Sequence, residues 1–420
     1  MTQQTADYDI IIVGGGLAGV TLAHALDNQG LRIALIESAP FKLQAQPNYD
    51  DRAIALSYGS RRVFEGLALW QPLSRLVTPI RKIHVSDRGH FGVTRIDSRE
   101  EGVEALGYVI TARDLGKVLV EAMTTDSSID IISPATVQGI SIESTHATLD
   151  VTTAAGEARA FTTRLVVAAD GGQSSIRSLL NIETSEVDYQ QSAIIANISC
   201  QRFHDNVAYE RFTEQGPIAL LPMSDSTSQD RNEYGHRCAL VWTQPAAQVE
   251  HIMALGDAQF LSQLQERFGQ RLGRFTHVGT RNAHPLRLIR CKDQVRERLA
   301  IIGNAAHTLH PIAGQGFNLG VRDVAALAQV LVDAARQQQD PGSLDVLQSY
   351  AQWRKRDQQT MTGFTDTLVR VFSNRFAPLA LARNAGLLAT DLIAPLKHTL
   401  ARHTMGIAGK LPRLSRGLRL

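Results

Sequence analysis

The sequence predicts an α/β protein in which a parallel-sheet domain is assembled from three separate stretches, with a β-sheet domain inserted and a helical region at the C-terminus. Three observations predict it. A buried-strand pattern, a glycine-rich turn and a helical pattern follow one another over residues 9–29. Two further apolar strands break at polar glycine turns at 165–171 and 299–303. Between about 192 and 283 the pattern is mostly β-like.

Taken in order, Asp9-Ile10-Ile11-Ile12-Val13 reads as a parallel strand buried on both faces. Gly14-Gly15-Gly16-Leu17-Ala18-Gly19 follows, then a helix over 20–29 with Gly30 as its stop. A second strand over 32–36 ends at Glu37 and completes a βαβ unit. Alternation at Ile83, Val85 and Val93 predicts short antiparallel strands within an insert at 79–103. A helix is predicted over 111–123, with Asp114 near its start and Leu115, Val118, Leu119 and Ala122 on one face. Strand-rich sequence at 129–163 leads into 165–171. The sheet domain is expected at 183–282, together with the 79–103 insert. After 299–303 and a glycine-rich loop, a long helix is predicted over 319–335. The first domain thus comprises 1–78, 104–182 and 283–340, and 341–420 is helical. Beyond Asp391 there are no acidic side chains but six basic ones: Lys397, Arg402, Lys410, Arg413, Arg416 and Arg419.

Composition narrows the function classes. At roughly 100–200 residues per domain, 420 residues suggest two or three domains. A hydrophobic fraction of 44% with 20% charged residues is that of a globular chain with a sizeable core, and excludes disorder or a collagen-like rod. With 43 Lys+Arg against 41 Asp+Glu, there is no cationic excess to neutralise phosphates, so no nucleic-acid partner is expected. Cys200, Cys238 and Cys291 are too scattered for a disulfide framework or a CxxC pair, which suits a reducing compartment. The polar N-terminus is neither a secretory signal nor a basic transit peptide, so a cytoplasmic location is expected. The apolar stretch 376–396 is interrupted by Arg383 and Asp391, so membrane contact is expected to be peripheral, on the inner face.

The motif Gly14-x-Gly16-x-x-Gly19, between a strand and a helix, has the parts needed to hold the ADP half of a dinucleotide. Gly14 permits the tight turn, Gly16 lets a pyrophosphate approach the backbone, and Gly19 lets helix and strand pack closely. The helix N-terminus offers free N–H groups to the phosphates. Glu37 can accept from the adenosine ribose, and its charge would repel a 2′-phosphate. The single unit leaves NAD and FAD both open. Asp170-Gly171, within 169–177, is by composition as readily an ordinary Asp-Gly turn as a ligand contact. The run 303–320 contains Gly303, Asn304, Pro311, Gly314, Gln315, Gly316 and Asn318, and would bring bare backbone and another helix N-terminus beside a flat ligand.

In this order the three motifs resemble the flavin-dependent aromatic hydroxylases of the p-hydroxybenzoate hydroxylase superfamily, over nearly the whole chain. Arg52, in Asp51-Arg52-Ala53-Ile54-Ala55-Leu56, occupies the family's Arg position. Arg113, in Thr111-Ala112-Arg113-Asp114-Leu115, is similar to the following flavin-contacting segment. The resemblance implies a Rossmann-like FAD-binding domain, a β-sheet substrate domain and a C-terminal helical region. It implies FAD contacts from Arg52, Arg113, Asp170 and Gly171, from the glycines and Glu37 of the first motif, and from the seven residues named in 303–320. The family's Gly-Asp pair is Gly303-Asn304 here, and Asn can still hydrogen-bond to the ribityl or pyrophosphate part without the charge. The runs 311–323 and 210–225, and Phe372-Ser373-Asn374 with Pro378-Leu379 and Arg383-Asn384-x-Gly386-Leu387, look like the ubiquinone-biosynthesis hydroxylases. The run 84–92 most resembles the 2-polyprenyl-6-methoxyphenol hydroxylases.

Such enzymes use NADH or NADPH to reduce FAD, add O2 at flavin C4a, and pass one oxygen to an electron-rich phenol, here a polyprenylated one. The flavin carries that chemistry, so no catalytic side chain and no metal is assigned. His307 and His310 are expected to brace the flavin loop rather than act as acid and base. Trp242, Val241 and Leu240 are expected in a core rather than along a prenyl channel. The basic C-terminal tail is expected to dock on the membrane surface or on other ubiquinone-biosynthesis proteins, against the ordinary reading of a solvated helical face. The alternatives are the same chemistry at another ring position or on another aromatic compound, and a flavin-stabilised scaffold of a biosynthetic complex.

Overall fold

The computed structural model describes residues 6–42, 50–125, 127–224, 236–372 and 376–420. Ile10, Ile11 and Ile12 of the strand Tyr8–Val13 have no solvent exposure, as a parallel strand covered on both faces requires. This strand lies between Ile33–Ile36 and Ala158–Ala168, parallel to both. Leu299–Ile301 and Asp130–Ile132 extend the sheet in parallel on either side. Stretches far apart in sequence therefore share one sheet, as the recurring apolar strands predict. The helices Leu17–Leu26, Ala112–Thr125 and Gln315–Arg336 cover one face through Leu22, Leu119 and Leu327.

Two helices are bounded differently from expectation. The first helix starts at Leu17 and ends at Leu26, because Asp27 is extended and Asn28 takes a positive φ of 59°, a conformation Asn tolerates. The last starts at Gln315, four residues ahead of the expected 319, because the glycine loop itself turns helical.

The second sheet contains Thr184–Cys200, Val207–Phe212, Ile218–Met223 and Arg237–Pro245, and the 79–103 insert joins it through Lys82–Asp87 and Val93–Asp97. The strand Asn282–Cys291, expected in the third part of the first domain, instead hydrogen-bonds along Thr184–Cys200. Its alternation carries the ladder past the expected boundary at 282/283. Two helices, Ala246–Ala254 and Asp257–Phe268, interrupt a region expected to be mostly β. Phe260, Leu264 and Phe268 recur at helical spacing there and cover one face of the sheet. Trp242 is fully buried beneath them, its ring 5.4 Å from Phe260, so it is core.

The opposite face of this sheet turns toward the first domain. Ala208, Met223 and Ala239 pack with Ile80 and Val109, and Phe212 packs with Ile312. The C-terminal helix Ala377–Leu392 lies on the strand Val93–Asp97. There Gly92 N–H donates to Asn384 Oδ1 at 2.8 Å, and a Cβ on Gly92 would meet that oxygen at 2.2 Å. The tail folds back onto the first domain. Leu414 is 1% exposed in its core, and Trp353 Nε1 donates to the Lys410 carbonyl at 2.8 Å. Ser373, Asn374 and Asp225, part of the family-like runs, lie outside the described residues.

Candidate active site

Leu299–Ile301, Ala158–Ala168 and Tyr8–Val13 are parallel neighbours, so the loops that leave their C-terminal ends converge on one edge. The first loop is shaped by missing side chains. Gly14 has φ +110°, and a Cβ there would meet the Ala169 carbonyl oxygen at 2.6 Å. A Cβ on Gly19 would sit 2.0 Å from the Gly14 oxygen. Gly16 caps the helix with an extended backbone and no side chain. Across this loop the Glu37 carboxylate accepts from Gly15 N at 2.5 Å, Ala39 N at 2.8 Å and the Ser38 hydroxyl at 3.1 Å. A carboxylate has about four lone-pair positions, so one stays available for a ribose hydroxyl.

In the second loop, Asp170 Oδ2 accepts from Ile176 N and from the Ser175 hydroxyl, both at 3.1 Å. Its Oδ1 is buried without a partner among the described residues. A buried oxygen left so is costly unless a ligand donates to it. Gly171 follows with φ +84°. Arg177, not singled out from the sequence, donates to the carbonyls of Ala305 and Gly172 at 2.5 Å each and ties the second loop to the third. No local signal marks it, because its Ala305 partner is 128 residues away in the chain.

The third loop rests on the first helix. A Cβ on Gly303 would be 3.1 Å from Ala18 Cβ, and the Asn304 side chain is exposed beside it. After Pro311, Ala313 and Gly314 are both left-handed, at φ 57° and 59°, presenting bare backbone beside the strand Ala53–Ser57. Gly316 has open space where a Cβ would be. Gln315 is buried, donates to the carbonyls of Ala313 and Thr404, and has an unpartnered Oε1 among the described residues.

The Asn318 side chain is bonded entirely within the protein. Its amide donates to the Ala55 and Gly314 carbonyls at 2.7 Å, and its oxygen accepts from Ser57 N at 2.7 Å and the Ser60 hydroxyl at 2.8 Å. Both donors and both lone pairs of the side chain are used inside the protein, so the Asn318 side chain braces the loop from behind.

Arg52 and Arg113 stand together through a pair of aspartates. Arg52 pairs with Asp50 at 2.7 Å and Arg113 with Asp51 at 3.0 Å. Arg113 also lines a cleft of about 190 Å³ with Thr111, Asn197, Met223 and Arg237. Both histidines support the loop. His310 Nδ1 accepts from Ile312 N at 3.2 Å, and burial pushes its pKa down to about 4, so it is neutral at pH 7. His307 Nε2 meets Asp323 Oδ2 at 2.5 Å beneath the loop, and Arg354 Nε donates to Asp323 Oδ1 at 2.7 Å. Burial alone would raise the Asp323 carboxyl, but Arg354 and His307 hold it well below the usual carboxylate range.

The donor set fits FAD: a glycine cradle that a Cβ would fill, the orphaned Asp170 oxygen, the exposed Asn304, and flat backbone at 313–316. A family model described as an FAD binding domain matches residues 7–365. The chain is 35% identical to a ubiquinone hydroxylase, UbiL, of Rhodospirillum rubrum, over 98% of this chain and 93% of that protein. It is 30% identical to the 3-demethoxyubiquinol 3-hydroxylase of Escherichia coli, over 97% of this chain and all of that protein. Among solved structures, the p-nitrophenol 4-monooxygenase PnpA of Pseudomonas putida superposes with a TM-score of 0.75 over 96% of this chain and 98% of that one. At 17% identity that likeness speaks to the fold. The chain belongs to the FAD-binding-domain family and is an FAD-dependent monooxygenase of the aromatic hydroxylase type.

Proposed function

We propose that the enzyme hydroxylates a polyprenylated methoxyphenol in ubiquinone biosynthesis, with O2 and NADH or NADPH as co-substrates. The observation that carries this reading is the end-to-end similarity to hydroxylases named for ubiquinone or demethoxyubiquinol. Bound FAD supplies the activation of O2 and the oxygen transfer. The chain's own residues bind and orient. Gly14, Gly16 and Gly19 admit the pyrophosphate, Glu37 takes the ribose, and Asp170, Gly171, Gly303 and Asn304 face the ribityl and pyrophosphate region. Pro311, Gly314, Gln315 and Gly316 set the backbone against the flavin ring, with Arg52 and Arg113 at its edge. The apolar face of the second sheet closes over that ring and excludes water.

The name of the Escherichia coli relative favours a second reading, the same chemistry at another ring carbon. Mass spectrometry of quinone lipids from cells lacking the protein decides between them. Accumulation of a polyprenylphenol short of one ring oxygen, cleared on complementation, identifies the carbon; unchanged ubiquinone with no intermediate rejects the pathway. NADH- and substrate-dependent oxygen uptake by the purified protein separates an enzyme from a flavin-stabilised scaffold.

We also infer a peripheral contact with the inner face of the membrane. Among the described residues no single helix is long and apolar enough to cross it. Leu381, Leu392, Ile393 and Leu396 are exposed on adjoining helices, while Asp391 turns inward to Arg95 at 2.6 Å and Arg383 to Asp87 at 2.9 Å. Arg402 is exposed beside this apolar edge, while Lys397 is held by Glu100 at 3.2 Å, so the apolar side chains carry the contact and Arg402 adds attraction to anionic lipid. Replacing Leu392 and Leu396 by Glu is expected to abolish cosedimentation with anionic vesicles; unchanged cosedimentation would reject the contact.

A further inference from the structure

On the strand Val207–Phe212, side chains alternate between two environments. Tyr209 packs into the buried core under the helices, while Ala208 and Phe212 point the other way, toward Ile80 and Ile312. Glu210 lies between Ala208 and Phe212 on that second face. Register fixes its neighbours. Val85, Ala219, Val241 and Ile195 follow one another across the paired strands in the same row. The row is one carboxyl group among four aliphatic side chains, facing the space bounded by Ile312 of the flavin loop and by Ala53, next to Arg52.

Glu210 and its four row neighbours all keep some accessible surface, although the sheet around them is buried. A side chain that is both deep and accessible lines an internal hollow. No hydrogen bond or ion pair engages the Glu210 carboxyl among the described residues. Burial by itself raises its pKa to about 7, with no charged neighbour contributing. On the same face Asp87 is paired with Arg383 and accepts a hydrogen bond from Asn384, and His284 lies at the far end beside Arg52. His84, on the neighbouring strand, turns to Tyr209 on the opposite face. A lone carboxyl in an apolar hollow is expensive to keep unless a ligand uses it.

We propose that Glu210 receives the substrate's phenolic hydroxyl: the O–H donates to the carboxylate, orients the ring over the flavin, and passes its proton to Glu210 as the ring is attacked. In that transfer the phenol O–H bond breaks and a carboxyl O–H bond forms. The negative charge moves to the ring oxygen, no electrons are exchanged, and the proton returns when the phenol re-forms. A base whose pKa lies near the working pH suits the step. The inference rests on the reading of the enzyme as a phenol hydroxylase and adds the residue that reads the hydroxyl.

The test is calorimetric binding of 2-methoxyphenol to the FAD-loaded protein at pH 6 and pH 8.5. Wild type is expected to bind more tightly at the higher pH, as Glu210 ionises. Glu210→Gln is expected to lose about tenfold to a hundredfold in affinity at pH 8.5, as for a hydrogen bond to a charged group, and to lose the pH dependence. Glu210→Asp should keep the pH dependence at reduced affinity. Both variants should retain FAD and melt no lower than wild type, since no partner is lost. Wild-type affinity and pH dependence in Glu210→Gln would overturn the assignment, and so would absence of phenol binding by the wild type. The lipid analysis decides ring position and pathway independently of either result.

Discussion

Along the first sheet, the loop proposed to hold the cofactor is shaped by glycines whose missing Cβ atoms would collide with neighbouring backbone, at 2.6 Å for Gly14 and 2.0 Å for Gly19. Along the second sheet, the positions that face the hollow are side chains contributed singly by five strands: Val85, Glu210, Ala219, Val241 and Ile195. The first surface is made by removing atoms from a contiguous loop, so one substitution should disable it. The second is made by register across a sheet, so one substitution should reshape it while leaving the fold intact. On the proposed reading, cofactor recognition is steric and local, and substrate recognition is distributed.

The most severe way to break that contrast is Gly19→Val. With a Cβ 2.0 Å from a carbonyl oxygen, the helix cannot keep its place on the loop, and the purified protein should carry no FAD by absorbance. A yellow, fully loaded variant would show that the cradle is not steric. The next effect lies beneath the third loop. Asp323→Ala leaves His307 without its carboxylate and Arg354 with only Asp357 among the described residues, at 2.6 Å, a loss of about 3 kcal/mol, measured as a fall in melting temperature. A fall no larger than that of a surface substitution would remove the network from the loop's support.

His310 gives a smaller, pH-dependent effect. Its folded pKa is about 4 against 6.5 for the free group, so between those values the unfolded chain binds the extra proton. The contribution is full above pH 6.5 and is lost as pH falls toward 4, up to about 3 kcal/mol for the whole shift. His310→Phe should flatten the stability profile in that window. A slope identical to wild type would mean that His310 protonates without cost.

How much of this was legible follows the same division. Gly14, Gly16, Gly19 and Glu37 were readable because the turn, the helix start and the acidic acceptor sit within one βαβ unit, at spacings that backbone geometry dictates. Arg177 and the His307–Asp323–Arg354 network were not, because their partners are brought from distant segments by the sheet order. Asn318 reads as a ligand contact because it is a polar residue in a glycine-rich loop; the inward bonds of its side chain were hidden because Ala55, Ser57 and Ser60 lie far off in sequence. The helix Asp257–Phe268 was hidden within sequence expected to be β. Glu210 begins the family-like run 210–225, but the role proposed for it depends on which face it occupies, and a shift of one residue in register would have placed it in the core.

Leu240 and Val241 give the finest test, because they are adjacent on one strand and face opposite ways. Leu240 has no solvent exposure and packs with Trp242 and Phe260 under the helices. Val241 lies in the row with Glu210 and keeps some accessible surface. Leu240→Ala should create a cavity and cost about 2–5 kcal/mol, read as a lower melting temperature with unchanged preference among phenols. Val241→Ala should cost less than about 1 kcal/mol, since truncation enlarges an existing hollow, while shifting the relative affinities for phenols that carry larger ring substituents. Equal destabilisation by the two would mean that the row is packed core and that no hollow separates the sheets. A small cost with an unchanged preference would place the ring elsewhere along the face. A small cost with a shifted preference would show that neighbouring residues on one strand divide the work, one holding the sheet to its helices and the other shaping the site.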